Sequence, residues 1–160
     1  MSKPVVVIRN LEDSPQWLDR RLLTAYWQTE YRVSRPPGFV FQPGQHLPAA
    51  VADWLETREL WCWTFLSAWN PRSVLLPPSA NAARHRQLES ALHRLECVFW
   101  PAVGVGADGD WPPEESCWAL NLPATEAVRL GRVFEQNAIL HWEKGGVVEL
   151  WWLLGAGSGQ

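Results

Sequence analysis

Trp61-Cys62-Trp63-Thr64-Phe65-Leu66-Ser67-Ala68-Trp69-Asn70-Pro71-Arg72-Ser73 decides the fold. From Leu60 to Ala68 the chain is an almost unbroken apolar and aromatic run, the pattern of a strand buried on both faces. Asn70-Pro71 ends it, because the residue before a proline avoids the helical region and proline cannot donate to a ladder. The strand is therefore predicted to deliver Asn70, Arg72 and Ser73 to the edge of a sheet. Polar groups held at the end of a rigid core strand are where sites are usually built.

Elements follow on both sides. Ser14-Pro15 reads as the cap and first position of a helix running to about Arg32, with Leu18, Leu22, Ala25, Tyr26 and Thr29 at helical spacing. A short strand at Phe39-Val40-Phe41 and a helix over 48–57 come next. After the Leu60 strand, Ser79 caps a helix whose apolar stripe is Leu88, Ala91, Leu92 and Leu95, with Arg84, Arg86, Gln87 and Arg94 facing water. Strands are expected over 97–105, 116–122, 138–142 and 147–153, with a turn at 106–110, a helix over 125–135 and a hairpin at Lys144-Gly145-Gly146. Gly131 inside a helix costs about 1 kcal/mol relative to alanine, so close packing on the sheet is expected there.

From Leu60 onward the order is strand, helix, strand, strand, helix, strand, then one more strand. This predicts an α+β fold: a ferredoxin-like, split βαβ sandwich. Its sheet is mainly antiparallel with helices on one face, plus an N-terminal helical extension and a C-terminal hairpin strand. Residues 1–13 are expected to be partly ordered, 14–154 to form one domain, and 155–160 to be a flexible tail. In this topology the exit of the Leu60 strand lies beside the entrances of the Ser116 and Ala138 strands. Asn70, Arg72 and Ser73 should then meet Glu114, Glu115 and Ser116, and Gln136 and Asn137, at one edge. Trp63, Trp69 and Trp111 would frame it.

Bulk composition narrows the partners. The chain has 160 residues, a net charge of -3 and 12 tryptophans. The acidic balance gives no case for nucleic acid or an anionic membrane. No apolar stretch approaches the roughly 20 residues that span a bilayer, and Val5-Val6-Val7-Ile8 is too short for a signal-peptide core, so a cytoplasmic location is expected. Cys62, Cys97 and Cys117 sit in apolar runs and read as small buried hydrophobes. No Cys or His pair has ligand spacing, so neither a metal nor a cofactor is expected. Gly104-x-Gly106-x-x-Gly109 has dinucleotide-fingerprint spacing but leads into Trp-Pro-Pro and a strand where that motif needs a helix.

Five motifs carry a resemblance. These are Ala25-Tyr26-x-x-Thr29-x-Tyr31-x-Val33, Ser67-Ala68-Trp69-Asn70-Pro71-x-Ser73, Asn81, Trp111-Pro112-x-Glu114-Glu115-Ser116 and Phe134-x-Gln136-Asn137-Ala138. In order and spacing, from about Leu18 to Leu150, they resemble a bacterial family catalogued as a domain of unknown function, numbered 3293. The chain departs from that pattern with Ser67 where Thr is usual and Glu135 where Gly is usual. The family brings no established activity.

The expected function is binding of a small polar ligand at the predicted edge. Asn70, Ser73, Gln136 and Asn137 would hydrogen-bond it. Arg72 would hold an anionic group, and Glu115 would bind a cationic group or act as a base. No catalytic residue and no reaction type follow from the sequence. The alternative is a regulatory or interaction module, in which Trp142, Trp151 and Trp152 bind a protein or a second copy of the chain as a homodimer. Stacking of single-stranded RNA on the sheet is a distant third. The tryptophans themselves read either as a heavy core or as a binding surface.

Overall fold

The computed structural model of the chain describes residues 5–107, 109 and 111–153. The tail expected over 155–160 and part of the turn expected over 106–110 lie outside them. Eight strands and four helices follow in the order β1 (Val5–Ile8), α1 (Arg20–Gln28), β2 (Glu30–Val33), β3 (Val40–Phe41), α2 (Ala49–Thr57), β4 (Cys62–Ser67), α3 (Pro78–Arg94), β5 (Phe99–Val105), β6 (Glu114–Leu120), α4 (Ala124–Val133), β7 (Ala138–Glu143) and β8 (Glu149–Leu153).

All eight strands form one antiparallel sheet in the order β1-β8-β7-β4-β6-β5-β2-β3. The opening stretch of sequence is its centre. β4 pairs with β6, Ser67 facing Ser116, and with β7, Phe65 facing Leu140. Both neighbours were expected from the element order. The hairpin strand β8 lies against β7 as expected, with Ala138 opposite Trp152.

The sheet does more than a flat sandwich requires, because it curls into a half-barrel. Phe41 on β3 and Trp63 on β4 are four strand steps apart, about 19 Å if the sheet were flat. Their ring centroids are 4.4 Å apart. Beyond β3 the chain reaches the opposite side of the sheet: Gly44 N–H donates to Val148 O at 2.7 Å, and Val148 N–H to Gln45 O at 2.9 Å. Gly44 is required here. Its φ is +83°, and a Cβ would lie 2.8 Å from the Trp27 ring.

Curling separates two cores. The concave side gathers Trp63, Phe65, Trp118, Leu120, Leu140, Trp142, Leu150 and Trp152 against Leu23 of α1 and Val51 and Leu55 of α2. The convex side gathers Leu66, Cys117, Ala119, Ile139 and Leu153 against Leu88 and Leu92 of α3 and Leu130 of α4. Helices therefore cover both faces of the sheet, where one was expected, because twisting eight strands creates a hollow that the N-terminal helices must fill. Gly131 of α4 meets the sheet as expected: a Cβ there would lie 2.4 Å from Leu153 Cδ1.

The N-terminal region also differs from its sequence reading. Ser14 closes a 3-10 turn over Leu11–Asp13, and the cap of α1 is Asp19, whose carboxylate accepts from Leu22 N–H at 3.1 Å. The helix ends at Gln28, and Glu30–Val33 is strand β2, with Tyr31 and Val33 buried. Val5–Ile8, placed in a partly ordered segment by the sequence, pairs along β8 as β1. α3 has Pro77 and not Ser79 at its cap position. Of the 12 tryptophans only Trp17 and Trp61 are exposed among large hydrophobics. Most of the remainder build the concave core.

Candidate functional site

The exit of β4 is held in an improbable backbone. Asn70, Arg72 and Ser73 all have left-handed φ, at 47°, 53° and 60°, on either side of Pro71. Non-glycine residues seldom enter that region, and such strain persists only where the surroundings over-determine it. Here they do. Asn70 N–H donates to Asn81 Oδ1 at 2.8 Å, and Asn81 Nδ2 donates back to Asn70 Oδ1 at 2.7 Å. Leu76 N–H also donates to Asn70 Oδ1, at 3.0 Å. Arg72 N–H donates to Glu135 O at 2.7 Å, and Ser73 N–H to Asn70 O at 2.9 Å. Asn70 and Asn81 are both buried.

A second clamp comes from α3. Arg84, expected in water, donates through Nε to Ala68 O at 2.8 Å and through its guanidinium to Phe134 O. It ties the end of β4 to the end of α4, which sequence spacing could not reveal. Its Nη1 lies 3.6 Å from the Glu135 carboxylate. Glu135 itself has φ +57°. Glycine, usual here in the resembled family, enters that region freely.

Around this turn the sequence-predicted residues gather in part. Asn70 Nδ2 donates to Glu114 Oε2 at 2.9 Å, and Trp111 Nε1 donates to the same oxygen at 2.6 Å. Asn137 Nδ2 donates to Ser73 Oγ at 3.0 Å, and the Tyr26 hydroxyl shares a hydrogen bond with that Oγ at 3.1 Å. Gln136 Nε2 donates to Trp69 O and Phe134 O, each at 3.1 Å, and so ties the segment after β4 to the turn between α4 and β7.

A cavity of about 500 Å³ opens beside these groups. Its polar end holds Tyr26, Ser73, Glu114, Ser116 and Gln136; Leu22 and Ala25 of α1, Phe65, Ala138, Leu140 and Leu150 supply apolar wall. Trp111 lines it, whereas Trp63 lies in the concave core and Trp69 packs edge-on to His85 with centroids 6.4 Å apart. Asn70, Arg72, Glu115 and Asn137 are not among the lining residues. Asn70 and Asn137 act one step back, through Glu114 and Ser73. Arg72 contributes its backbone turn, and its guanidinium makes no ion pair among the described residues.

The two glutamates separate by strand alternation. Glu114, Ser116 and Trp118 point to the concave face, and Glu115 and Cys117 to the convex one. Glu115 is exposed. The carboxylate in the cavity is Glu114. The main wall that sequence reasoning missed is α1, where the signal was Tyr26, three residues from Thr29 on the cavity side.

Burial sets the electrostatics. The Glu114 carboxyl is pushed up from its ordinary 4.5 by burial, against the opposing pull of the Trp111 indole N–H and the Asn70 amide. The Tyr26 hydroxyl is pushed up chiefly by burial, with Ser73 opposing and the Glu114 charge adding to the rise. A carboxyl with a raised folded value is neutral in both states below 4.5. The unfolded chain ionises first as pH rises, so stability is lost across the window between 4.5 and the raised folded value. Against Glu114→Gln as reference, the wild type is expected to lose melting temperature through that window and to run parallel to the variant below it. A pH series of thermal melts checks this; a constant offset at every pH would count against a perturbed Glu114.

Among the described residues no group of three or more His, Cys, Asp or Glu could hold a metal ion, and no helix is long and apolar enough to cross a membrane. No curated protein and no solved structure matches the chain. One family model does, over residues 66–139, which run from the end of β4 to the start of β7 and include Asn70, Ser73, Asn81, Glu114, Gln136 and Asn137. That span contains three of the motif groups that carried the resemblance, together with Asn81, and it matches the family described as Protein of unknown function (DUF3293).

Proposed function

We propose that this protein binds a small ligand with a polar head and a largely apolar body, seated between α1 and the ends of β4, β6 and β7. The unit from β4 to β7 is read as a curled ferredoxin-like element that presents these ends together, and the setting as the bacterial cytoplasm. One observation carries the reading: a cavity of about 500 Å³ closes on Glu114, Ser73 and Tyr26, beside a turn with three left-handed non-glycine residues. The volume is that of small-molecule pockets, as is an apolar wall with few convergent polar groups. Backbone strain of this kind concentrates at ligand clamps. The interaction-module alternative is the weaker one, since Trp142, Trp151 and Trp152, on which it rested, are buried.

A metabolite mixture screened by thermal shift tests the proposal. A ligand at about 100 times its Kd adds about 2.7 kcal/mol. For a chain of this length that is a rise of roughly 5–10 °C. Ala25→Trp, on the exposed side of α1 but lining the cavity, should abolish the rise while leaving the ligand-free melt close to wild type. A rise that survives Ala25→Trp, or no rise with any fraction, would overturn the proposal.

A further inference from the structure

Glu114 is a carboxylate without a cation. Both of its hydrogen bonds, from Asn70 and from Trp111, fall on Oε2. Oε1 has no donor among the described residues, and no Lys or Arg forms an ion pair with the group. Nor does a guanidinium or ammonium charge act appreciably on its ionisation. A partly buried carboxylate left uncountered is costly unless something brings the missing charge. Structural carboxylates at strand ends are ordinarily fully solvated or paired; Glu114 is half-buried in the cavity wall and has no ion pair among the described residues.

The surroundings suit one kind of visitor. Trp111, Tyr26, Tyr31 and Phe65 line the same cavity, and aromatic faces attract cations. An anion would meet the like charge of Glu114. Arg21, the one cation among the described residues that line the wall, is exposed on α1 and touches neither Glu114 nor Ser73; the Arg72 charge acts on the Tyr26 hydroxyl but is not among the influences on Glu114. We infer that the ligand is a small organic cation, a primary or secondary ammonium on an apolar body, whose N–H donates to Glu114 Oε1 while the body lies against Leu22, Phe65, Leu140 and Leu150. This rests on the binding reading above and gives it a ligand class.

The test compares three probes with one shared body: 2-phenylethylamine, 2-phenylethanol and 3-phenylpropionate, each titrated calorimetrically into the full chain. A hydrogen bond to a charged group favours the amine over the alcohol by about ten- to a hundredfold, and the acid should bind weakest. In Glu114→Gln the amine should fall to the level of the alcohol, and the alcohol should be unchanged. Gln keeps an acceptor for Trp111 and Asn70, and circular dichroism checks that it folds; the comparison on the wild type decides even where it does not. Equal binding of amine and alcohol, preference for the acid, or an amine advantage that persists in Glu114→Gln overturns the cation class. If none of the three binds, the cation class is also overturned, and the metabolite screen then decides separately whether the cavity binds anything.

Discussion

Trp118→Ala is expected to cost about 4–5 kcal/mol, at the upper end for truncating a buried aromatic. Trp118 is fully buried on β6 and meets five rings: Phe39, Phe41, Trp54, Trp63 and Trp100, with centroids 5.5–6.0 Å away. These rings come from β3, α2, β4, β5 and the loop before β3. The indole is thus the contact through which the far edge of the curled sheet is held to its centre. Its loss leaves a cavity that rigid neighbours on several elements cannot jointly close. Domains of this kind are stable by only about 5–15 kcal/mol, so the variant should melt roughly 10–20 °C lower or fail to fold. The cost lies in volume and not in the indole N–H, which has no acceptor among the described residues. Trp118→Phe should therefore lose far less. Trp17→Ala, at a ring 65% exposed, should stay within about 0.5 kcal/mol of wild type. Urea denaturation of the three variants gives the ordering, and a small effect of Trp118→Ala would mean that the curl is held elsewhere.

The centre of this fold was legible because its strands are long, apolar and separated by helices with clear stripes. Element order alone placed β6 and β7 on either side of β4. The periphery was not legible, and the reasons are local. Glu30-Tyr31-Arg32-Val33 alternates buried and exposed positions, but it follows α1 after a single residue, and Thr29 continues the helical spacing, so period 3.6 masked period 2. At the site, the convergence of Asn70 and Ser73 with Glu114 and Asn137 followed from topology. The choice between Glu114 and Glu115 did not. Ser116 to Leu120 are all buried, so the strand carries no alternation from which its inner face could be read. Arg84 looks like a solvent residue on α3 until Ala68 and Phe134 are brought to it from 16 and 50 residues away.

Asn81→Ala should cost about 3 kcal/mol, or roughly 6–12 °C, out of proportion to the three atoms removed. Asn81 spends both ends of its amide on Asn70. Its loss leaves the buried Asn70 N–H with no acceptor and removes one of two donors to Asn70 Oδ1. The strain of three left-handed residues is then less firmly opposed, and the turn can relax towards an ordinary conformation. Relaxation moves Ser73 away from Tyr26 and Asn137, and Asn70 away from Glu114. The turn therefore links stability to binding. Leu88→Ala separates the two effects. Leu88 is buried on the same helix within the convex core and does not line the cavity, and its truncation costs a comparable amount, about 2–5 kcal/mol. Leu88→Ala should retain whatever ligand-induced thermal shift the wild type shows, and Asn81→Ala should lose most of it. Equal retention in both would make the Asn70–Asn81 pair a device for stability alone, with the strained turn incidental to the cavity.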